Sequence, residues 1–343
     1  MVRATLIAIM CWSALPALAG DYKITHLEQR RVFKGTTLLA DMSDPRRPKV
    51  VEVNFNGDIV WKFSPPSFMH GAVLDVAKLA NGNILITVRG SGIYEISRDG
   101  EVAWAHKDPE ASHDADRLPN GNTLYNLGWR TKGKDVVREV NPSGKIVWSW
   151  KGLADYDREP FAGIDLEGWM HVNSVSRLEN GNTLVSIRNF NTVTEVGPDG
   201  RVVQDWTFKG KNKRTGLQTH GKIKGMHNHE PEILENGNML LALRRPNRFV
   251  EFNLKTQDVV WSWEHPGHVR RLKSSEIRKK MYHLGFSKVS FRFRGHFFSF
   301  ICDNFLPSWL MRIKGRLLKC DYQLFRLLPN GASMIGCAQK SIV

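Results

Sequence analysis

One phrase recurs along the chain and limits what it can fold into: KLANGNILITV at 78–88, RLPNGNTLYNL at 117–127, RLENGNTLVSI at 177–187 and ILENGNMLLAL at 233–243. A degraded copy, RLLPNGASMIG, stands at 326–336. The Asn-Gly step is suited to positive φ and the alternating apolar run after it reads as a strand, so each phrase predicts a β-hairpin with a type I′ turn. A second phrase follows each full copy and ends in Trp: IYEISRDGEVAW (93–104), VREVNPSGKIVW (137–148), VTEVGPDGRVVQDW (193–206) and VEFNLKTQDVVW (250–261). An earlier one, VVEVNFNGDIVW (50–61), has RRVFKGTTLLA (30–40) where the first phrase would stand. The unit is four short antiparallel strands, and Trp61, Trp104, Trp148, Trp206 and Trp261 recur at intervals of 43, 44, 58 and 55 residues.

A four-stranded sheet repeated at this interval predicts an all-β chain, a β-propeller of four-stranded antiparallel blades. A sandwich would not need a self-similar phrase in every hairpin. Five blades are readable, over about 24–63, 70–106, 111–150, 170–208 and 227–263, and the copy at 326 begins a sixth that is incomplete at Val343. The recurring Trp, always in the same slot, reads as blade-to-blade packing.

Residues 1–19 carry Arg3, an apolar run from Leu6 to about Leu15 and small residues at Ala17 and Ala19, the pattern of a secretory signal peptide. The run is shorter than the roughly 20 residues a membrane span needs. The expectation is a periplasmic or secreted protein with propeller blades over 20–267. Residues 21–301 lack cysteine, so this body must be held by packing and not by disulfides. The net charge of +15 does not signal nucleic-acid binding, because residues 268–343 hold fifteen Lys/Arg against three Asp/Glu and leave +3 for the rest. Nucleic acid is not an expected partner, since a phosphate-binding surface would spread its charge over a folded face. Residues 268–320 show neither an Asn-Gly turn nor a blade pattern. The segment 268–343 reads as an atypical basic tail with a partial sixth blade, either an insertion or a frame-shifted end, and predicts an incomplete ring.

Function in a repeat fold belongs where a copy departs from consensus. Eight residues before the turn glycine the copies read Leu74, His113, Asn173 and His229, and ten before it Ala72, Ala111, His171 and His227. Histidines thus gather at one height in three successive blades, at strand starts that face one mouth of the channel. Arg188 ends the next strand of the blade that carries His171. Imidazoles and a guanidinium around one channel suit a sulfate or phosphate ester, supplying donors and positive charge without a metal. A His-x-His pair at 227 and 229 could hold zinc, but no third ligand has motif spacing, so no metal is expected. Insertions at 151–169 and 209–226 lengthen loops on the same mouth, where Tyr156, Phe161 and Trp169 are candidates for an aromatic pocket wall. Lys209, Lys211, Lys213 and Arg214 read as a solvated loop able to attract anions.

HDADRLPNGNTL, WMHVNSV followed by SIR, and HNHEPEILENGN together resemble the bacterial arylsulfate sulfotransferases, over about residues 45–263. The resemblance implies an exported six-bladed propeller that needs no nucleotide donor and no cofactor. It would pass a sulfuryl group from an aryl sulfate to a phenol through a sulfohistidine, in ping-pong fashion. By position, His229 matches the nucleophile, with Asn228 before it where the family often has Gln. His171 and Arg188 match residues that bind the sulfuryl oxygens, and His113 one that assists the phenolic oxygen. His227, Asn173 and Trp169 complete the expected substrate-binding set. A propeller that binds a ligand or protein without catalysis, and an inactive truncated remnant of the enzyme, stay open as alternatives.

Overall fold

The computed structural model describes residues 35–54 and 56–264 in full, and elsewhere only the backbone of the strands named below. The expected signal peptide and the side chains of Cys302, Cys320 and Cys337 lie outside the described residues. Blades two to five are each four consecutive antiparallel strands. Blade two runs through Val73–Lys78, Ile84–Val88, Gly92–Ile96 and Val102–His106, and blade three through Ser112–Arg117, Thr123–Asn126, Val137–Val140 and Ile146–Trp150. Blade four is Val172–Arg177, Thr183–Ile187, Thr192–Val196 and Val202–Thr207, and blade five Met226–Ile233, Asn238–Arg245, Arg248–Asn253 and Val259–Glu264. The one helix among the described residues, Leu153–Tyr156, lies in the loop after blade three; none is long and apolar enough to cross a membrane.

Blade one differs from its sequence reading. Thr36–Asp41, Lys49–Asn54 and Ile59–Phe63 are three consecutive strands of a five-stranded sheet, which two tail strands complete: His296–Cys302, antiparallel to Thr36–Asp41, and beyond it Val289–Phe293 at the edge. The tail also forms the hairpin of Val289–Phe293 with His296–Cys302, although no Asn-Gly turn announces it. Its sequence VSFRF does alternate apolar and polar, a period-2 signal masked by the surrounding basic residues. A further four-stranded sheet orders Lys23–His26, Trp309–Ile313, Arg316–Cys320 and Ser341–Ile342, and the degraded phrase forms a two-stranded hairpin of Leu324–Leu328 with Gly331–Ile335.

The Asn-Gly turns are real hairpins of another type than expected. In blade two the Leu79 N–H donates to the Asn83 carbonyl and the Gly82 N–H to the Leu79 carbonyl, leaving a three-residue loop with Gly82 alone at φ 85°. This is a type I turn closed by a left-handed glycine. The reason is the asparagine side chain: Asn81 Oδ1 accepts the Asn83 N–H at 3.0 Å, and Asn120, Asn180 and Asn236 do the same at 3.0 Å in the later blades. This Asx contact holds asparagine in ordinary backbone space.

The same residues clasp neighbouring blades. The Trp61, Trp104, Trp148 and Trp206 indoles donate to the carbonyls of Arg98, Pro142, Pro198 and Leu254, at 2.8, 2.8, 3.0 and 3.1 Å, each in the outer turn of the next blade. The repeated Trp is thus packing, as its constant slot indicated. A buried third-strand glutamate accepts from the turn asparagines and from a cation of the next blade: Glu139 from Asn122 at 2.6 Å and from Arg177 at 2.5 Å, while Arg177 lies over Trp148. Glu139→Ala is expected to cost about 2–3 kcal/mol, since it orphans the Arg177 charge at the interface. Urea unfolding measures this, and Glu139→Gln, which keeps an acceptor for Asn122, should lose less.

Candidate active site

The inner strands of blades three, four and five leave regular pairing at the same height. Their registers shift at Tyr125/Asn126, at Val172/Ser174 and at His229/Glu232. His113, His171 and His227 adopt φ of 36°, 49° and 57°, a left-handed backbone that side-chain-bearing residues seldom take. Such bulges re-aim side chains, and strain of this kind concentrates where geometry serves a site. All four expected histidines are buried, as are Arg188 and Asn173.

Hydrogen bonds fix the protons on these rings. His229 Nδ1 lies 2.9 Å from the His227 carbonyl, which can only accept, so Nδ1 carries the hydrogen and Nε2 the lone pair. His171 Nδ1 likewise donates to the Glu167 carbonyl at 2.8 Å. His113 takes the opposite tautomer. Ser112 Oγ accepts the Gly128 N–H at 2.5 Å, and with the Asn126 amide nitrogen turned towards it accepts a second donor at 2.7 Å. Its single proton then goes to His113 Nδ1, 3.1 Å away, which leaves His113 protonated at Nε2. The His113 and His171 rings stand 5.1 Å apart.

Two arginines set the field. Arg188 Nη1 donates to Glu167 at 3.1 Å and lies 3.3 Å from His171 Nδ1. Burial foremost, then the Arg244 and Arg188 charges, holds His229 well below the usual imidazole range. Burial, the His113 ring and Arg188 do the same to His171. His227 is pushed down to about 3 by burial and then by Arg188, Arg244, Arg245 and Arg214. Unfolded, these rings would titrate near 6.5, so below that pH the unfolded chain binds protons the folded chain refuses. Stability is therefore complete above about pH 6.5 and falls as pH drops towards about 3. Thermal midpoints across this window test it: His227→Asn should flatten the slope by close to one proton, and midpoints independent of pH would contradict neutral burial.

Sequence reasoning missed Arg244 and Trp129. Arg244 stands six residues after Asn238, the slot Arg188 holds after Asn182, and Arg89 after Asn83. In blade three this slot is Gly128, where an added Cβ would meet His113 Nδ1 at 2.8 Å, so glycine gives the His113 ring its room. Trp129 follows, its ring 4.5 Å from that of His113 and 5.7 Å from that of His171, with the Arg89 guanidinium 4.5 Å above it. A comparison of the four slots would have found the arginines.

The aromatic residues expected at a pocket wall pack against one another. Trp169 is 1% exposed and donates its indole N–H to the Phe161 carbonyl at 2.9 Å, in a core cluster with Tyr156 and Phe190. The 151–169 insertion turns its large rings inward, where they bury most apolar area. Asn173 donates to the Asn228 carbonyl at 2.8 Å and so ties blade four to blade five beside His229. The Asp114 carboxylate caps the Val175 N–H of the next blade at 2.9 Å. A cleft of about 380 Å³ opens on His227, Arg188 and Arg244, and both insertions reach it, through Glu167 and through Lys213 and Arg214. Among the described residues no three His, Cys, Asp or Glu side chains converge as a metal-binding group.

The chain has the following likenesses among known proteins. The chain is 19% identical to a protein of unknown function from Bacteroides caccae, whose crystal structure superposes with a TM-score of 0.50 over 84% of this chain and 83% of that one. It is 10% identical to virginiamycin B lyase from Staphylococcus aureus, with a TM-score of 0.45 over 93% of this chain and 90% of that one. The first of these likenesses concerns the fold alone. No curated protein matches the chain. A family model described as Arylsulfotransferase (ASST) matches residues 24–213, a span that includes His113, His171 and Arg188 and stops short of His229. With more than half of its length matched, the chain belongs to the arylsulfotransferase family.

Proposed function

We propose that this protein transfers a sulfuryl group from an aryl sulfate ester to a phenolic acceptor, through a sulfohistidine formed at His229. The observation that carries the reading is the tautomer of His229, neutral and buried, with its Nε2 lone pair set by the His227 carbonyl and the charges of Arg188 and Arg244 acting on it. In the first half-reaction Nε2 attacks sulfur, the N–S bond forms, and the S–O bond to the aryl oxygen breaks with its electron pair on that oxygen. His113, with its hydrogen on Nε2, hydrogen-bonds the departing oxygen and stabilises the charge that develops there, and the first product leaves as the phenolate. In the second half an acceptor phenol gives its proton to the free Nε2 of His171, its oxygen bonds to sulfur, the N–S bond breaks to restore His229, and His171 passes the proton to solvent.

The guanidinium groups of Arg188 and Arg244 hold the sulfuryl oxygens, as fixed charges stabilise equatorial oxygens in phosphoryl transfer. His171 offers a lone pair at Nε2 in its tautomer, so it accepts from the acceptor hydroxyl and does not donate to a sulfuryl oxygen. His227 lines the entrance. The signal-like segment at 1–19 supports export, and we place the reaction in the periplasm or outside the cell. The test is 4-nitrophenolate release from 4-nitrophenyl sulfate by the purified mature protein. Release that rises with added phenol is expected, and none from protein folded by circular dichroism would leave a binding propeller or an inactive remnant.

A further inference from the structure

The cleft holds more positive charge than one sulfuryl group can use. Its lining includes Arg188, Lys213, Arg214, Arg244 and Arg245, and among the described residues the only carboxylate on the lining is Glu167. Glu167 is shared, 3.1 Å from Arg188 and 4.0 Å from Arg214. The cations are ranked by depth: Arg188 is buried and Arg244 partly so, next to His227, whereas Lys213, Arg214 and Arg245 are exposed at the mouth. An aryl sulfate brings one negative charge, and the inner pair suffices to meet it. The outer three come from two separate stretches, the 209–226 insertion and the end of the second strand of blade five, yet they close on one opening. The fields of two of them reach inward, since Arg245 and Arg214 both act on His227.

We infer that this site, if it transfers sulfuryl groups as proposed above, selects aromatic substrates that carry a second anionic group, a carboxylate or sulfonate on the ring or its side chain, held at the mouth by Lys213, Arg214 and Arg245. In ping-pong transfer donor and acceptor rings occupy one cleft in turn, so the preference applies to both. Charges at an open mouth act by attraction and selectivity more than by raw affinity, and each contributes modestly.

The experiment compares 4-hydroxyphenylacetate with 4-methylphenol as acceptors from 4-nitrophenyl sulfate, beside binding of 4-sulfobenzoate and benzenesulfonate by calorimetry. The expected kcat/KM ratio favours the carboxylated acceptor by about tenfold, and in a Lys213→Gln, Arg245→Gln variant it falls towards one. Both side chains are exposed, so the substitutions spare the core. Equal kcat/KM values, or a preference that survives the double variant, would overturn the inference. If no acceptor is sulfated, the transfer reading fails and binding decides alone. Tighter binding of 4-sulfobenzoate than of benzenesulfonate, lost in the variant, supports a second anion subsite; equal affinities reject it.

Discussion

His229→Ala is expected to lower kcat/KM for 4-nitrophenyl sulfate by a factor on the order of a thousand or more, the scale on which removing a covalent nucleophile acts. The residue is 6% exposed and, among the described residues, the polar contact of its ring is Nδ1–H to the His227 carbonyl, so removal leaves one backbone acceptor unmet, at a cost of about 1–3 kcal/mol. The fold should persist and the loss should be chemical. Two further readouts separate a nucleophile from an anion ligand. Without acceptor, the native protein should release a burst of nitrophenolate stoichiometric with enzyme and gain the mass of one sulfuryl group on the peptide containing His229. His229→Gln, which can still donate to the His227 carbonyl, should show neither. A burst that survives in the variant would place the covalent step on another residue.

Much of this fold is legible in the sequence because one physical problem is solved repeatedly. Every blade needs a tight hairpin and a grip on its neighbour, so the turn asparagines, the third-strand glutamate and the outer Trp recur, and their contacts recur with them. Irregularity is where reading by pattern weakens. The strand that pairs with Thr36–Asp41 on its free side in blade one is His296–Cys302, more than 250 residues along the chain, and no local periodicity carries a long-range pairing. Type I′ turns were expected from Asn-Gly alone, whereas the asparagine side chain bonds its own loop and selects another turn.

The site divides in the same way. His113, His171, His227 and His229 stand out because they break a repeat, and the structure buries all four at one height. Arg244 escaped notice because an arginine at a strand end is common, and only its register with Arg188 distinguishes it. Trp169 shows the ambiguity of an aromatic residue beside a histidine motif, which is equally consistent with a pocket wall and with the core packing it makes. Proton positions could not be read from sequence at all: they depend on the His227 and Glu167 carbonyls and on Ser112, which become neighbours of the rings only through the bulges.

Arg188→Ala and Arg244→Ala are each expected to reduce kcat/KM by about a hundred- to a thousandfold, the range seen when one donor to a developing oxyanion is lost. The charges act on the same imidazoles, so the double variant should lose less than the product of the two. Each substitution also has a consequence that a purely structural role would not have. Both guanidinium groups depress His229, so deleting either raises its folded pKa. A nucleophile must be neutral, and the acid limb of kcat/KM, lying well below 6.5 in the native protein, should move to higher pH in each variant. Arg188→Lys should restore the position of that limb through its charge but recover the rate only in part, because an ammonium lacks the planar fork that meets two oxygens. Arg188 also donates to Glu167, so Glu167→Gln separates the contributions: it should leave the acid limb in place and change the rate far less than loss of the arginine. An acid limb that stayed fixed when Arg188 and Arg244 were removed would mean that the limb belongs to a group other than His229.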